Sequence, residues 1–135
     1  MLAKHGLSKR TAFPLWFRAC FELLRVGHAL ARGGFAPVYA RVRNLPRKGN
    51  DGETRTLEQI CRAVDVACVL YFKEVRCLQR SAAAVCLLRD NGIPAELVIG
   101  VQHWPFCAHA WVEVTGRVVN DKPYITEAYA VMDRC

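Results

Sequence analysis

An α+β fold, with N-terminal helices packed on a small antiparallel sheet, is what this sequence predicts. Three observations carry it. Apolar residues recur at helical spacing through most of residues 13–90. Past Pro94 the pattern changes to short β-rich runs. Thr115-Gly116 then joins two of those runs as a hairpin. At 135 residues the chain fits one domain. A domain of this size buries roughly two-thirds of its unfolded surface, which is enough for a real core. We assign all of 1–135 to that domain, with 1–55 as N-terminal helix and loop and 56–135 as the core that carries the chemistry.

The elements follow in order. Residues 13–32 form the first helix, with Arg18, Glu22, Arg25, His28 and Arg32 on one polar stripe and Gly33-Gly34 as its end. So narrow a stripe implies a mostly buried helix, or one docked on a partner or a lipid surface. Residues 44–55, with one Pro, two Gly and mixed charges, read as a loop. The second helix runs from Thr56 to Val75. Thr56 and Gln59 form its capping box, and Leu57, Ile60, Val64, Ala67 and Tyr71 lie on its apolar stripe. The third runs from Cys77 to Asp90, is apolar nearly all round, and stops at Asn91-Gly92 before Pro94. It should be the buried centre. Strands follow at 95–101, 110–115 and 117–120, the last two forming the hairpin. Residues 125–131 suit either a strand or a short helix.

Net charge is +7, and before position 50 the only carboxylate is Glu22. A basic face of this kind steers acidic peptides, nucleic acids or anionic membranes, or simply keeps the chain soluble. Basic and aromatic residues are not interleaved as in nucleic-acid modules, which argues against that partner. Membrane contact through residues 13–32 is the lesser alternative to protein packing. No uninterrupted apolar run reaches the roughly 18 residues of a membrane span. Seven cysteines is an odd number, and their spacing matches no disulfide framework. Cys20, Cys61, Cys68 and Cys86 sit among apolar neighbours as small core residues, and a reducing, cytoplasmic setting is expected.

Cys77, His109 and Asp121 are the candidate site residues. Cys77 begins the apolar helix, where unpaired N–H groups and the helix dipole favour a thiolate; Arg76 and Arg80 would add to this if they point inward. The Cys77 amide is a candidate oxyanion donor, and Gln79 a second. The hairpin register sets position 109 across from about 122, one step from Asp121. A carboxylate there can hold one imidazole nitrogen while the other faces the thiol. Each residue also has a plain structural explanation. A lone Cys is usually core, a His beside Trp111 is usually a satisfied structural histidine, and Asp after Asn usually makes a turn. His103, Cys107 and His109, with Cys77 or Cys86, raise a zinc site, but they lack paired ligand knuckles. No metal and no cofactor is expected.

From Cys77 to Asp121 the sequence resembles the transglutaminase-like leader peptidases of lasso-peptide biosynthesis, the B2 proteins. The resemblance rests on Cys77-Leu78-Gln79-Arg80-Ser81, Leu87-Leu88-Arg89-Asp90-Asn91-Gly92-Ile93-Pro94-Ala95, Leu97-Val98-Ile99-Gly100-Val101, Ala108-His109-Ala110-Trp111-Val112-Glu113 and Gly116-Arg117-Val118-Val119-Asn120-Asp121. The block covers about a third of the chain; His103-Trp104 departs from the pattern. The resemblance implies a papain-like fold in which a Cys77–His109–Asp121 triad cuts one peptide bond of a ribosomally made precursor. It also implies a separate leader-recognition protein of the B1 type and an ATP-dependent lasso cyclase as partners. Acyl transfer or deamidation at glutamine by the same residues is the alternative within the fold. A non-catalytic module docking on a partner or membrane is the alternative outside it.

Overall fold

The run from Cys77 to Asp90 has too few polar residues to face water, and the computed structural model buries ten of its fourteen. The model describes residues 14–45 and 57–135. Helices α1 (Leu15–Gly33), α2 (Phe35–Asn44), α3 (Leu57–Leu70) and α4 (Cys77–Asp90) come first. Strands β1 (Ala95–His103), β2 (Phe106–Val114) and β3 (Arg117–Val118) follow, then α5 (Ile125–Ala128) and β4 (Ala130–Arg134). The sheet is antiparallel in the order β3-β2-β1-β4. Helix α4 lies between α1 and α3 on one side and β1 and β2 on the other. Its alanines, Ala82, Ala83 and Ala84, are at most 1% exposed and let these layers close tightly.

The ends of α4 explain its length. Past Asp90 the Gly92 N–H donates to the Arg89 carbonyl and the Ile93 N–H to the Leu88 carbonyl. Gly92 has φ 81°, the left-handed conformation this helix stop requires. Buried Arg89 then donates to the carbonyls of Val42 and Ala95, tying the end of α2 to the start of β1. Tyr39 of α2 donates to Asp133 of β4, and that bond helps push the Tyr39 hydroxyl up to about 12.

Several expectations need correction. Helix α1 buries a stripe of Leu15, Ala19, Leu23 and Val26, but Trp16, Phe17, Phe21 and Leu24 stay about half exposed. It is therefore not mostly buried, because α3 and α4 cover only one side. Two members of the polar stripe are ion-paired: Arg18 with Asp90, and Glu22 with Arg25 and Arg41. Among the described residues no helix is long and apolar enough to cross a membrane.

Residues 35–44, read as part of the N-terminal loop region, form α2. Gly34 breaks the chain direction at φ 71°, Pro37 is tolerated in a first turn, and Val38 and Val42 bury at helical spacing. The expected loop lies outside the described residues beyond Leu45, as does the Thr56 cap. Helix α3 ends at Leu70, five residues early, although Tyr71 and Val75 still pack on the core. Strand β1 reaches His103 and β2 begins at Phe106, so the two form a nine-pair ladder not read from the sequence. The tail supplies both a helical turn and a strand, and β4 joins β1 at the far edge.

Gly100 shows how closely the outer face of the sheet is packed. A Cβ there would lie 2.5 and 2.6 Å from the Trp111 ring and 3.0 Å from the Tyr129 Cβ. Trp111 is fully buried and cannot retreat. Gly100→Ala is expected to cost about 1–3 kcal/mol through overpacking, read as a lower midpoint in urea unfolding; an unchanged midpoint would contradict this packing.

Candidate active site

Three elements bring the site together. Cys77 is the first residue of α4, half-buried, with its free thiol at the helix start. His109 lies on β2, opposite Gly100 of β1. Asp121 follows β3 in a bend rather than in the strand itself. The expected hairpin register holds, with Val114 facing Arg117 and Glu113 facing Val118. The chain then curls back so that Val119 N–H donates to the Val112 carbonyl.

That register joins the imidazole to the carboxylate. His109 Nε2 lies 2.6 Å from Asp121 Oδ2, with both side chains about one-fifth exposed. The other carboxylate oxygen accepts the Lys122 N–H at 2.7 Å. Burial pushes the Asp121 carboxyl up; the His109 hydrogen bond and the Lys122 amide outweigh it and hold the group below its ordinary value of 3.8. Asp121 is thus an ionised acceptor at neutral pH. The His109 ring also lies 6.1 Å from Trp111, stacked, and 5.3 Å from Tyr129, tilted. The aromatic neighbours and the carboxylate fix the ring plane. Among the described residues, Nδ1 has no hydrogen-bond partner.

Cys77 and His109 line the same cavity, of about 280 Å³. Arg76 lines it too, whereas Arg80 turns to Asp65 of α3 at 2.7 Å. Gln79 is not available as an oxyanion donor. It is buried, and its amide donates to the Leu23 carbonyl at 2.9 Å, clamping α4 to α1.

Sequence reasoning missed Ser81 and Asn120. Ser81, one turn beyond Cys77, is 1% exposed and donates to the Ala110 carbonyl at 3.0 Å. Asn120 Nδ2 donates to Ser81 Oγ at 3.0 Å, and Asn120 Oδ1 accepts the Val112 N–H at 2.7 Å. One buried hydroxyl therefore links the thiol-bearing helix, the residue after His109 and the residue before Asp121. A single hydroxyl amid the alanines of α4 was the available signal. Tyr129 had none, because the tail's path was undetermined.

The remaining thiols divide as their neighbours dictate. Burial pushes Cys61 up to about 11, and raises Cys68 and Cys86. Cys107 is exposed on β2, its sulfur 3.8 Å from the Tyr129 hydroxyl. Cys135 is buried. Among the described residues no group of three or more His, Cys, Asp or Glu is placed to hold a metal ion.

Comparisons with known proteins place the chain in a family. The chain is 45% identical over 56 residues to the microcin J25-processing protein McjB of Escherichia coli. That match takes in 42% of this chain and 27% of the relative, so the chain spans only part of that protein's length. No solved structure matches significantly. A family model described as the transglutaminase-like superfamily matches residues 21–134, nearly the whole described chain. The chain belongs to the transglutaminase-like superfamily.

Proposed function

We propose that this protein is a cysteine peptidase that removes the leader from a ribosomally made lasso-peptide precursor, with Cys77 as nucleophile, His109 as base and acid, and Asp121 as the group that orients His109. The observation that carries this reading is the 2.6 Å His109–Asp121 contact, which leaves the second ring nitrogen for the thiol that lines the same cavity. The likeness to a microcin J25-processing protein supports precursor maturation as the setting.

The chemistry runs as follows. His109 takes the Cys77 proton as sulfur attacks the scissile carbonyl carbon. The resulting oxyanion is met by N–H groups at the start of α4, with Cys77's own amide the first of them. The C–N bond breaks, and the leaving amine takes the proton from His109. Water then attacks the thioester with His109 again as base, and the acid product departs as the thiol is restored. Asp121 holds the imidazole tautomer throughout and offsets the charge of the imidazolium. A separate B1-type leader-recognition protein would deliver the precursor, and a lasso cyclase would take the freed core peptide.

The direct test incubates the protein with precursor and leader-binding partner and follows peptide mass. Two fragments are expected from the wild type and none from Cys77→Ala. Cleavage that persists in the variant sinks the assignment. A mass change of about one unit on an uncut peptide would instead indicate side-chain deamidation.

Asp121→Asn should lower kcat by about 10²–10⁴-fold through loss of the oriented base. The same carboxyl carries a stability signature. Its folded pKa lies below 3.8, so its stabilisation is present at neutral pH and lost as pH falls through the folded value. The melting-temperature gap between wild type and Asp121→Asn should therefore shrink as the pH falls below the carboxyl's ordinary 3.8, and a gap that stays unchanged there would contradict the lowered pKa. Ser81→Ala and Asn120→Ala each remove one arm of the link between α4 and the hairpin. Each should reduce kcat by up to about 10²-fold at nearly constant KM. A change confined to KM would place these residues in substrate binding instead.

A further inference from the structure

We propose that Tyr129 is a positioning residue for His109: its ring closes over the imidazole, holding the His109–Asp121 hydrogen bond in one geometry and away from water. The proposal rests on the peptidase reading and adds a residue to the machinery of that site.

His109 and Trp111 stand two apart on β2 and so share one face of the sheet. Tyr129 reaches that face from the tail. Its ring centroid lies 5.3 Å from that of His109 and 6.3 Å from that of Trp111, and the His109–Trp111 distance is 6.1 Å. Distances so nearly equal describe a triangle, so Tyr129 packs against both strand residues at once. All three lie within the roughly 4.5–7 Å over which aromatic rings attract.

Two corners of the triangle are already fixed. Trp111 is fully buried, its indole N–H donates to Glu113 at 3.0 Å, and Glu113 also accepts from Arg134 of β4. Tyr129 is seated by its backbone. Its N–H donates to the Ile125 carbonyl at 3.1 Å, and the next residue, Ala130, pairs with Val101 of β1. The Tyr129 Cβ lies over Gly100, where β1 carries no side chain. His109 is the third corner, tied by one nitrogen to Asp121. One hydrogen bond leaves an imidazole free to tilt about that contact; a ring packed on its side removes the tilt.

The same ring keeps water off. His109 and Asp121 are each about one-fifth exposed, and loss of the Tyr129 ring would admit water that competes for both partners. The hydroxyl has a lesser part. It reaches exposed Cys107, 3.8 Å from a sulfur that accepts weakly.

Variants of the full chain test this. Tyr129→Phe keeps the ring and Tyr129→Ala removes it. Met132→Ala, at an exposed position of β4, reports on loosening of the tail alone. With precursor and leader-binding partner, Tyr129→Phe and Met132→Ala should match wild type. Tyr129→Ala should lower kcat by about 10- to 100-fold at nearly constant KM, the scale of a misplaced base. Proton NMR gives a second readout: the proton between His109 and Asp121 should appear as a downfield resonance that Asp121→Asn lacks. It should persist in Tyr129→Phe and be lost to solvent exchange in Tyr129→Ala, with circular dichroism showing the variant folded. Tyr129→Leu, which has apolar bulk but no flat ring, replaces the alanine variant if that one does not fold, and the same losses are expected.

Wild-type kcat and an undiminished resonance in folded Tyr129→Ala overturn the positioning role and leave the peptidase reading standing. A Tyr129→Phe that loses as much as Tyr129→Ala does the same, because the function would then belong to the hydroxyl. So does an equal loss in Met132→Ala, which would make the effect general to the tail. Cleavage that persists in Cys77→Ala overturns the peptidase reading itself.

Discussion

The enclosure of helix α4 governs the rest of the molecule. With ten of its fourteen residues buried, it cannot turn or slide without opening the core on both faces at once. Cys77 is its first residue, so the thiol inherits that rigidity while lining a cavity at the start of the helix. Burial on this scale would be unfavourable for any polar side chain left unpaired. Each polar residue inside the helix is accordingly paired and ties α4 to a different neighbour. Gln79 reaches α1, Ser81 reaches β2 and Asn120, and Arg89 reaches the end of α2 and the start of β1.

The hairpin supplies the second rigid body. Its tight turn sets which residues face each other, and the curl after β3 brings Asp121 under His109. Both carboxylate oxygens have donors, so Asp121 has little freedom to rotate away. The Ser81–Asn120 bond joins the two rigid bodies beside their functional ends. The position of thiol relative to imidazole is then a property of two packed units and the buried hydrogen bonds between them, rather than of flexible loops.

The outward side of the N-terminal helices has a different character. Trp16, Phe17, Phe21 and Leu24 of α1, with Val69 and Leu70 of α3, are large apolar groups left about half exposed or more. The chain's positive charge is concentrated in the same N-terminal part. The cavity beside Cys77 touches only the inner end of this region, through Leu30 and Phe35.

Legibility followed the range of the interactions involved. The limits of α4 were plain because its stop signals are local: Gly92 at positive φ, and Pro94 just beyond. The His109–Asp121 pairing was legible because a two-residue turn determines register by counting. Helix α2 was not, because it is short, carries Pro37, and gains its stability from docking on Arg89 and on β4. Gln79 was misread because helical position alone does not say which neighbouring backbone an amide will meet.

From the residues themselves came helices α1, α3 and α4, the burial of α4, the hairpin and the three candidate chemical groups, since periodicity, turn chemistry and side-chain type are encoded within a few positions. The tertiary structure decided which groups share a cavity, that Ser81 and Asn120 bridge the two halves of the site, that the tail returns as β4 to place Tyr129 against His109, and that Phe35 walls the space beside the thiol. Those relations join residues dozens of positions apart. They depend on how whole elements pack, and a local pattern carries no information about that.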